Sequence, residues 1–191
     1  MKNEIIEILV EEPSMKNALE IILPRILPTP FELGINCFIR PHQGKTDLQK
    51  SIPRKVRAYQ YFPQAVKLIV VPDQDSNDCL HLKQELVKLV KQENDKQPLL
   101  VRIACRELEN WYLGDMQAIE AIYPTFKAVK YQGKAKYRDS DNVFAAKDLE
   151  RLIKDFAKGF ASKHIPTFMK IDDNNSTSFN QFVSGVKKFS A

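Results

Sequence analysis

The stretch KLIVVPDQDSNDCL, Lys67 to Leu80, joins an unbroken apolar run, Leu68 to Val71, to three carboxylates, Asp73, Asp75 and Asp78. A run of strand length without polar alternation describes a strand covered on both faces, as in a parallel sheet. The acids that follow have two readings. They cap and solvate the start of the next helix, or they hold a cation.

Working outward, three other runs have strand length and are rich in β-branched or aromatic residues: Ile5 to Val10, Ile35 to Arg40 and Leu99 to Cys105. Helical spacing fills the gaps. Met15, Ala18, Leu19, Ile22, Leu23 and Ile26 share one face, with Ser14 as the expected N-cap and Pro24 and Pro28 kinking or ending the helix. Asp47 to Tyr61 reads as a helix interrupted by Pro53. Leu80, Leu82, Leu86, Leu89 and Val90 mark another, and Leu108, Trp111 and Tyr112 begin one more, with Trp111 expected in the core. Strands alternating with helices predict a mostly parallel α/β sheet. Past Asp115 the pattern is helical: Tyr131 to Asn142 reads as an exposed loop, and Leu149 to Phe160 and Phe179 to Phe189 as helices. The expected organisation is an α/β core over residues 1–115 and a helical extension over 116–191, packed on that core within one domain.

Composition narrows the class. A chain of 191 residues, 43% hydrophobic and 28% charged, can bury a sizeable core. The excess of 29 Lys+Arg over 24 Asp+Glu gives +5, compatible with a polyanionic partner without demanding one. Cys37, Cys79 and Cys105 form no CxxC pair, which argues against structural zinc and a disulfide framework and for reduced, mostly buried thiols in a cytoplasmic protein. The opening MKNEIIEILVEE lacks the features of a signal peptide, and no run approaches the about 20 apolar residues of a membrane helix.

In open α/β sheets, ligands bind beyond the carboxyl ends of the strands. Glu11 and Glu12 follow the first strand; His42, Gly44 and Lys45 the second; Asp73, Asp75 and Asp78 the third; Arg106, Glu107 and Glu109 the fourth. In an extended segment Asp73 and Asp75 point the same way, roughly 7 Å apart. Oxygen ligands so placed, with Glu11 from the neighbouring strand, suit Mg²⁺ or Mn²⁺. Asn77 or Asp78 is the expected cap of the following helix. Of Glu107 and Glu109, two apart, only one should reach the site, and Glu107 is nearer the strand end. His42, Gly44, Lys45 and Arg106 are candidates for phosphate or nucleic-acid contact. His81 and His164 read as surface residues.

Two motifs fail on inspection. DQDSND opens like an EF-hand loop, but Asp78 stands where Gly is needed and Gln84 where the bidentate Glu is needed. Gly44-Lys45-Thr46 ends like a P-loop, but Ile39 replaces its first Gly. Two basic groups carry aromatics, Lys45 to Tyr61 and Lys127 to Arg138; each fits a nucleic-acid groove or a plain solvated surface.

An acid after the first strand with an Asp-x-Asp after the third resembles the Toprim domain of topoisomerases, primases and the nucleases associated with overcoming-lysogenization-defect ATPases. LVEEPSM, RPHQGKTDL, VVPDQDSNDC, RIACRELENWYLGD and NNSTSF, in this order over nearly the whole chain, are similar to the Toprim-related family called domain of unknown function 4276. The resemblance implies a Toprim-like fold and Mg²⁺-dependent nuclease activity, with Asp73 and Asp75 on the metal and Glu11 in acid/base or metal chemistry. It also implies an AAA or ABC-type ATPase partner, in the setting of phage defence. Nuclease relatives often carry Glu-Gly and a second acid four residues on; here Glu12 and Met15 stand instead, leaving Glu107 to supply a missing ligand. The rival expectations are a non-catalytic module that binds nucleic acid or an ATPase, and a small-molecule phosphohydrolase.

Overall fold

The four apolar runs form one sheet in the computed structural model, which describes residues 4–191. β1 (Glu4–Val10), β2 (Cys37–Pro41), β3 (Ala65–Val71) and β4 (Leu99–Val101) are all parallel and lie in the order β2-β1-β3-β4. β1 and β3 form the buried centre, in register from Glu4 beside Ala65 to Val10 beside Val71. Their side chains divide by the period of two that the pleat imposes. Ile6, Ile8, Val10, Ile69 and Val71 face one core, and Ile5, Leu9, Leu68 and Val70 face the other.

Each face is covered by helices. α2 (Lys45–Tyr59) and α3 (Cys79–Lys91) bring Leu48, Ile52, Val56, Leu82, Leu86 and Val90 to the smaller core. The larger core is covered by α1 (Pro13–Ile22), α4 (Leu108–Leu113), α5 (Met116–Ile122), α6 (Ala145–Leu152), α7 (Lys158–Phe168) and α8 (Thr177–Ser190). The chain runs from β1 outward to β2, then returns past β1 to β3 and β4 with its crossover helices on the opposite face. This reversal makes the carboxyl ends of β1 and β3 a topological switch point, where open α/β sheets leave a crevice. Residues beyond 115 share the larger core: Phe126, Ile165, Phe179 and Phe182 are buried with Ile6 and Trp111.

Several local expectations change in three dimensions. Ser14 is not the N-cap; α1 begins at Pro13 with Glu12 in the cap position, as Pro suits a first helical turn. Pro53 lies inside α2 without ending it. Strand pairing starts at Cys37 rather than Ile35, and Ile35 is exposed. β4 is three residues long, and beyond it only an isolated bridge joins Asp73 to Ala104. Leu80 is exposed rather than part of the apolar stripe of α3. The expected loop 131–142 contains two 3-10 turns and buries Tyr137 and Ser140, while the expected helix 149–160 is divided between α6 and α7. Trp111 is fully buried, as its spacing implies.

The stacking rings expected among the basic residues are mostly packed inward. Tyr59 is buried with its hydroxyl near Glu7, Tyr131 stacks on Phe126, and Tyr137 is buried. Glu7 itself is buried on the β1 face toward α2, where Arg40 of β2 forks its guanidinium onto both carboxylate oxygens at 3.0 and 2.9 Å. A charge placed there is tolerable because the pair is bidentate and Arg40 reaches water.

Candidate active site

Glu11 continues β1 by one residue and is buried. Its Oε2 accepts from the Asp73 backbone N–H at 3.3 Å, so the two acids meet across the β1/β3 crevice. Beyond β3 the backbone stays tied to the segment after β4: Gln74 N–H donates to the Ala104 carbonyl at 2.9 Å and Asp75 N–H to the Arg106 carbonyl at 2.8 Å. Asp75 and Arg106 both adopt left-handed backbone, with φ of 54° and 59°. That twist ends the extended geometry, so Asp73 and Asp75 do not project as an i, i+2 pair. Asp73 turns inward, and its Oδ1 is buried without a hydrogen-bond partner. Asp75 turns outward, 54% exposed, and is ion-paired to Lys45.

The third inner acid is Glu109, not Glu107. Glu107 occupies the N-cap position of α4 with extended backbone; its N–H donates to Asn110 Oδ1, and its carboxylate accepts from the Ala146 N–H at 2.8 Å and from Lys158 Nζ at 3.3 Å. Glu109, one residue into the helix, is buried, with Lys158 Nζ 3.8 Å away. Nearness to the strand end misled, because Glu107 caps α4 and its carboxylate is engaged there. The Glu107–Asn110 spacing is the signal that marks that cap in the sequence.

Burial and mutual repulsion set the protonation of this cluster. Burial pushes the Asp73 carboxyl well above the usual range, and Glu109, Glu11 and Asp75 push it further. Glu11 is raised by burial, partly offset by Lys45. Burial raises Glu109 to about 7 despite the opposing pull of Lys158. Burial alone would lower Lys158, but Glu109 and Glu107 reverse the sign. The Tyr112 hydroxyl, buried without a partner within electrostatic reach of Glu109 and Asp73, is also raised.

A testable consequence follows for Glu109 in chelator. Its folded-state pKa of about 7 lies above the ordinary 4.5, so the folded form holds a proton that the unfolded form has released. The stability this confers is complete below pH 4.5 and is lost as pH rises through about 7, an effect of about 3 kcal/mol in order of magnitude. Denaturant titrations of wild type should lose stability across that window, and Glu109→Gln should flatten the profile. Parallel profiles would exclude Glu109 as the source.

The remaining candidates divide. His42 is buried; its Nδ1–H donates to the Val10 carbonyl at 2.8 Å, and Nε2 meets the Ser51 hydroxyl at 2.6 Å. Both ring nitrogens are engaged, so His42 ties β1 to α2 rather than facing a phosphate. Gly44 precedes α2 with φ 91°, a conformation that favours glycine, and its N–H is taken by the Glu11 carbonyl. The contact carries the start of α2, and with it Lys45, to the acidic edge. Asp78 is the N-cap of α3, accepting from the His81 N–H at 2.7 Å. Arg106 lies over Phe144, 4.5 Å from the ring centre, at a cleft of about 460 Å³ lined by Asp75, Ser76, Glu107 and Lys158 as well. Phe144 and Lys158 were not apparent from the chain because both come from distant helical segments.

Whether the acids suit a cation has two answers. Among the described residues no three Asp, Glu, His or Cys side chains converge on one point. The chemistry nevertheless fits. Mg²⁺ keeps several waters and is commonly held by one or two carboxylates completed by substrate phosphates. A buried, partnerless Asp73 oxygen beside Glu11 offers a donor of that kind. No helix among the described residues is long and apolar enough to cross a membrane.

A family model with the description Domain of unknown function (DUF4276) matches residues 10–187. No curated protein and no solved structure matches the chain.

Proposed function

We propose that this chain, which belongs to the DUF4276 family, is a magnesium-dependent enzyme that hydrolyses nucleic-acid phosphodiesters. The observation that carries the reading is the partnerless Asp73 oxygen buried among Glu11, Asp75 and Glu109 at the switch point of the sheet. Desolvated carboxyls this close are neutralised either by taking up protons, as the raised Asp73 and Glu109 reflect, or by a cation. In this reading Asp73, Glu11 and Asp75 would hold Mg²⁺ (or Mn²⁺).

The bound ion supplies charge neutralisation at the phosphate and lowers the pKa of a bound water. The chain's own residues do the rest. Glu11, hydrogen-bonded to the Asp73 backbone N–H across the crevice, positions the water that attacks phosphorus. Lys45, Lys158 and Arg106 border the acids and neutralise phosphate oxygens. Toprim kinship, a cytoplasmic setting and an AAA or ABC-type ATPase partner in phage defence belong to the same proposal, supported by the motif resemblance.

The test is incubation with plasmid, single-stranded DNA and RNA in Mg²⁺, Mn²⁺ or EDTA. Metal-dependent cleavage that falls at least about 10²-fold in Glu11→Gln is the expected result. Nucleic-acid binding that survives EDTA, with no cleavage in either metal, would establish a non-catalytic module instead. That second reading draws on the Lys45–Asp75 pair and the lack of three converging ligands among the described residues. Turnover of small phosphate esters, indifferent to added DNA or RNA, would establish a phosphohydrolase.

A further inference from the structure

Twenty-six positions separate Cys79 from Cys105, yet their sulfurs lie 3.9 Å apart. Cys79 is the first residue of α3, and Cys105 follows the Asp73–Ala104 bridge. Both thiols are free, and both are partly accessible at a cleft of about 250 Å³ formed with Lys83, Arg102, Ser178 and Gln181. Cys37, by contrast, is fully buried in the larger core. The sequence separation hid this pair. The parallel alignment of β3 with β4 creates it, because it carries the segments after both strands to the same edge.

We propose that Cys79 and Cys105 are a reversible thiol–disulfide site. A disulfide needs the sulfurs at about 2.05 Å, so they must close by about 1.9 Å, a distance side-chain rotation can supply. The pair differs in reactivity. Burial, with Cys79 next, raises the Cys105 thiol to about 12, which makes it a poor initial nucleophile. Cys79, the first residue of the 13-residue α3, lies between the exposed Asp78 and Leu80, open to an incoming disulfide.

Cys79 therefore attacks first. Its thiolate displaces one sulfur of a small-molecule disulfide such as oxidised glutathione, giving a mixed disulfide and one free thiol. Cys105 then loses its proton to solvent and attacks Cys79 Sγ, expelling the second thiol. In sum, two protein thiols are oxidised to one disulfide and one disulfide is reduced to two thiols. The bond would pin the start of α3 to the segment after β4. The loop carrying Asp75 runs between these anchors, already hydrogen-bonded to Arg106 at one end. Transient disulfides of this type are the kind reducing compartments use for sensing.

The experiment treats the full-length protein with a graded ratio of oxidised to reduced glutathione and reads intact mass and non-reducing peptide maps. The expected result is a loss of 2 Da (two hydrogens) and a single Cys79–Cys105 cross-linked peptide, reversed by dithiothreitol, with Cys37 untouched. The oxidised form should melt about 5–10 °C higher than the reduced form. Cys79→Ser should abolish the cross-link. Cys105→Ser should instead accumulate a stable glutathione adduct on Cys79, which separates a site that lacks its resolving thiol from a misfolded protein. Stable glutathione adducts on wild type without the 2 Da loss, or disulfides only between chains, would overturn the proposal.

Discussion

Asp73→Asn should reduce metal-dependent cleavage about 10³-fold while raising the melting temperature of the protein in EDTA. The two effects share one cause. In the folded apo protein Asp73 buries a carboxyl oxygen with no partner, with Glu11, Asp75 and Glu109 around it. An amide removes the ionisable group and its repulsion, so the fold gains. A cation at the site is worth several kcal/mol to the transition state, and each 1.36 kcal/mol is a factor of ten. Loss of its inner ligand therefore costs about three decades. Calorimetry completes the argument: Mn²⁺ binding should be lost in Asp73→Asn, and Mn²⁺ should stabilise wild type but not the variant. A variant that cleaves as wild type does would remove Asp73 from the mechanism. One that binds metal normally yet fails to cleave would move its role from ligation to substrate.

Trp111→Ala should destabilise the protein by about 3–5 kcal/mol, the largest single-residue effect expected in the core. Trp111 is fully buried, packs against Phe179 and Phe182 of α8 at ring-centre distances of 5.3 and 5.1 Å, and donates its indole N–H to Ser178 Oγ at 2.9 Å. Ser178 in turn accepts a place in a tight polar knot, where Asp141 receives its backbone N–H at 2.7 Å and the Ser176 hydroxyl at 2.7 Å. Truncating the indole leaves a cavity and removes one donor from the Ser178 hydroxyl, which keeps Asp141 and Ser176, at the junction of α4 and α8. Because α4 also positions Glu109, the acidic site should loosen with the junction. Chemical denaturation would check the magnitude. A change below about 1 kcal/mol would show that α8 is held by other contacts.

Much of this architecture is legible along the chain. Apolar runs of strand length separated by helical spacing specify a parallel α/β sheet because a strand buried on both faces must be apolar throughout, as Leu68 to Val71 is. The same logic places Glu11 and Asp73 at the carboxyl edge, and the short range of an N-cap makes Asp78 readable before α3. Nearest-neighbour chemistry is local, and the sequence carries it.

Long-range geometry belongs to the fold alone. Glu109 rather than Glu107 became the inner acid because Glu107 caps α4 and its carboxylate is held by the Ala146 N–H and Lys158. Asp75 parted from Asp73 through a left-handed turn imposed by pairing with Arg106, and Lys45, carried in by the Gly44–Glu11 contact, neutralised it. His42 lost its candidacy when Val10 and Ser51 claimed both nitrogens. Cys79 and Cys105 met only because β3 and β4 run side by side. Residue types and local spacing determined the sheet, its helices and which edge is acidic. Burial and pairing between distant segments decided which acids face inward, because desolvation and charge depend on what the tertiary structure brings near.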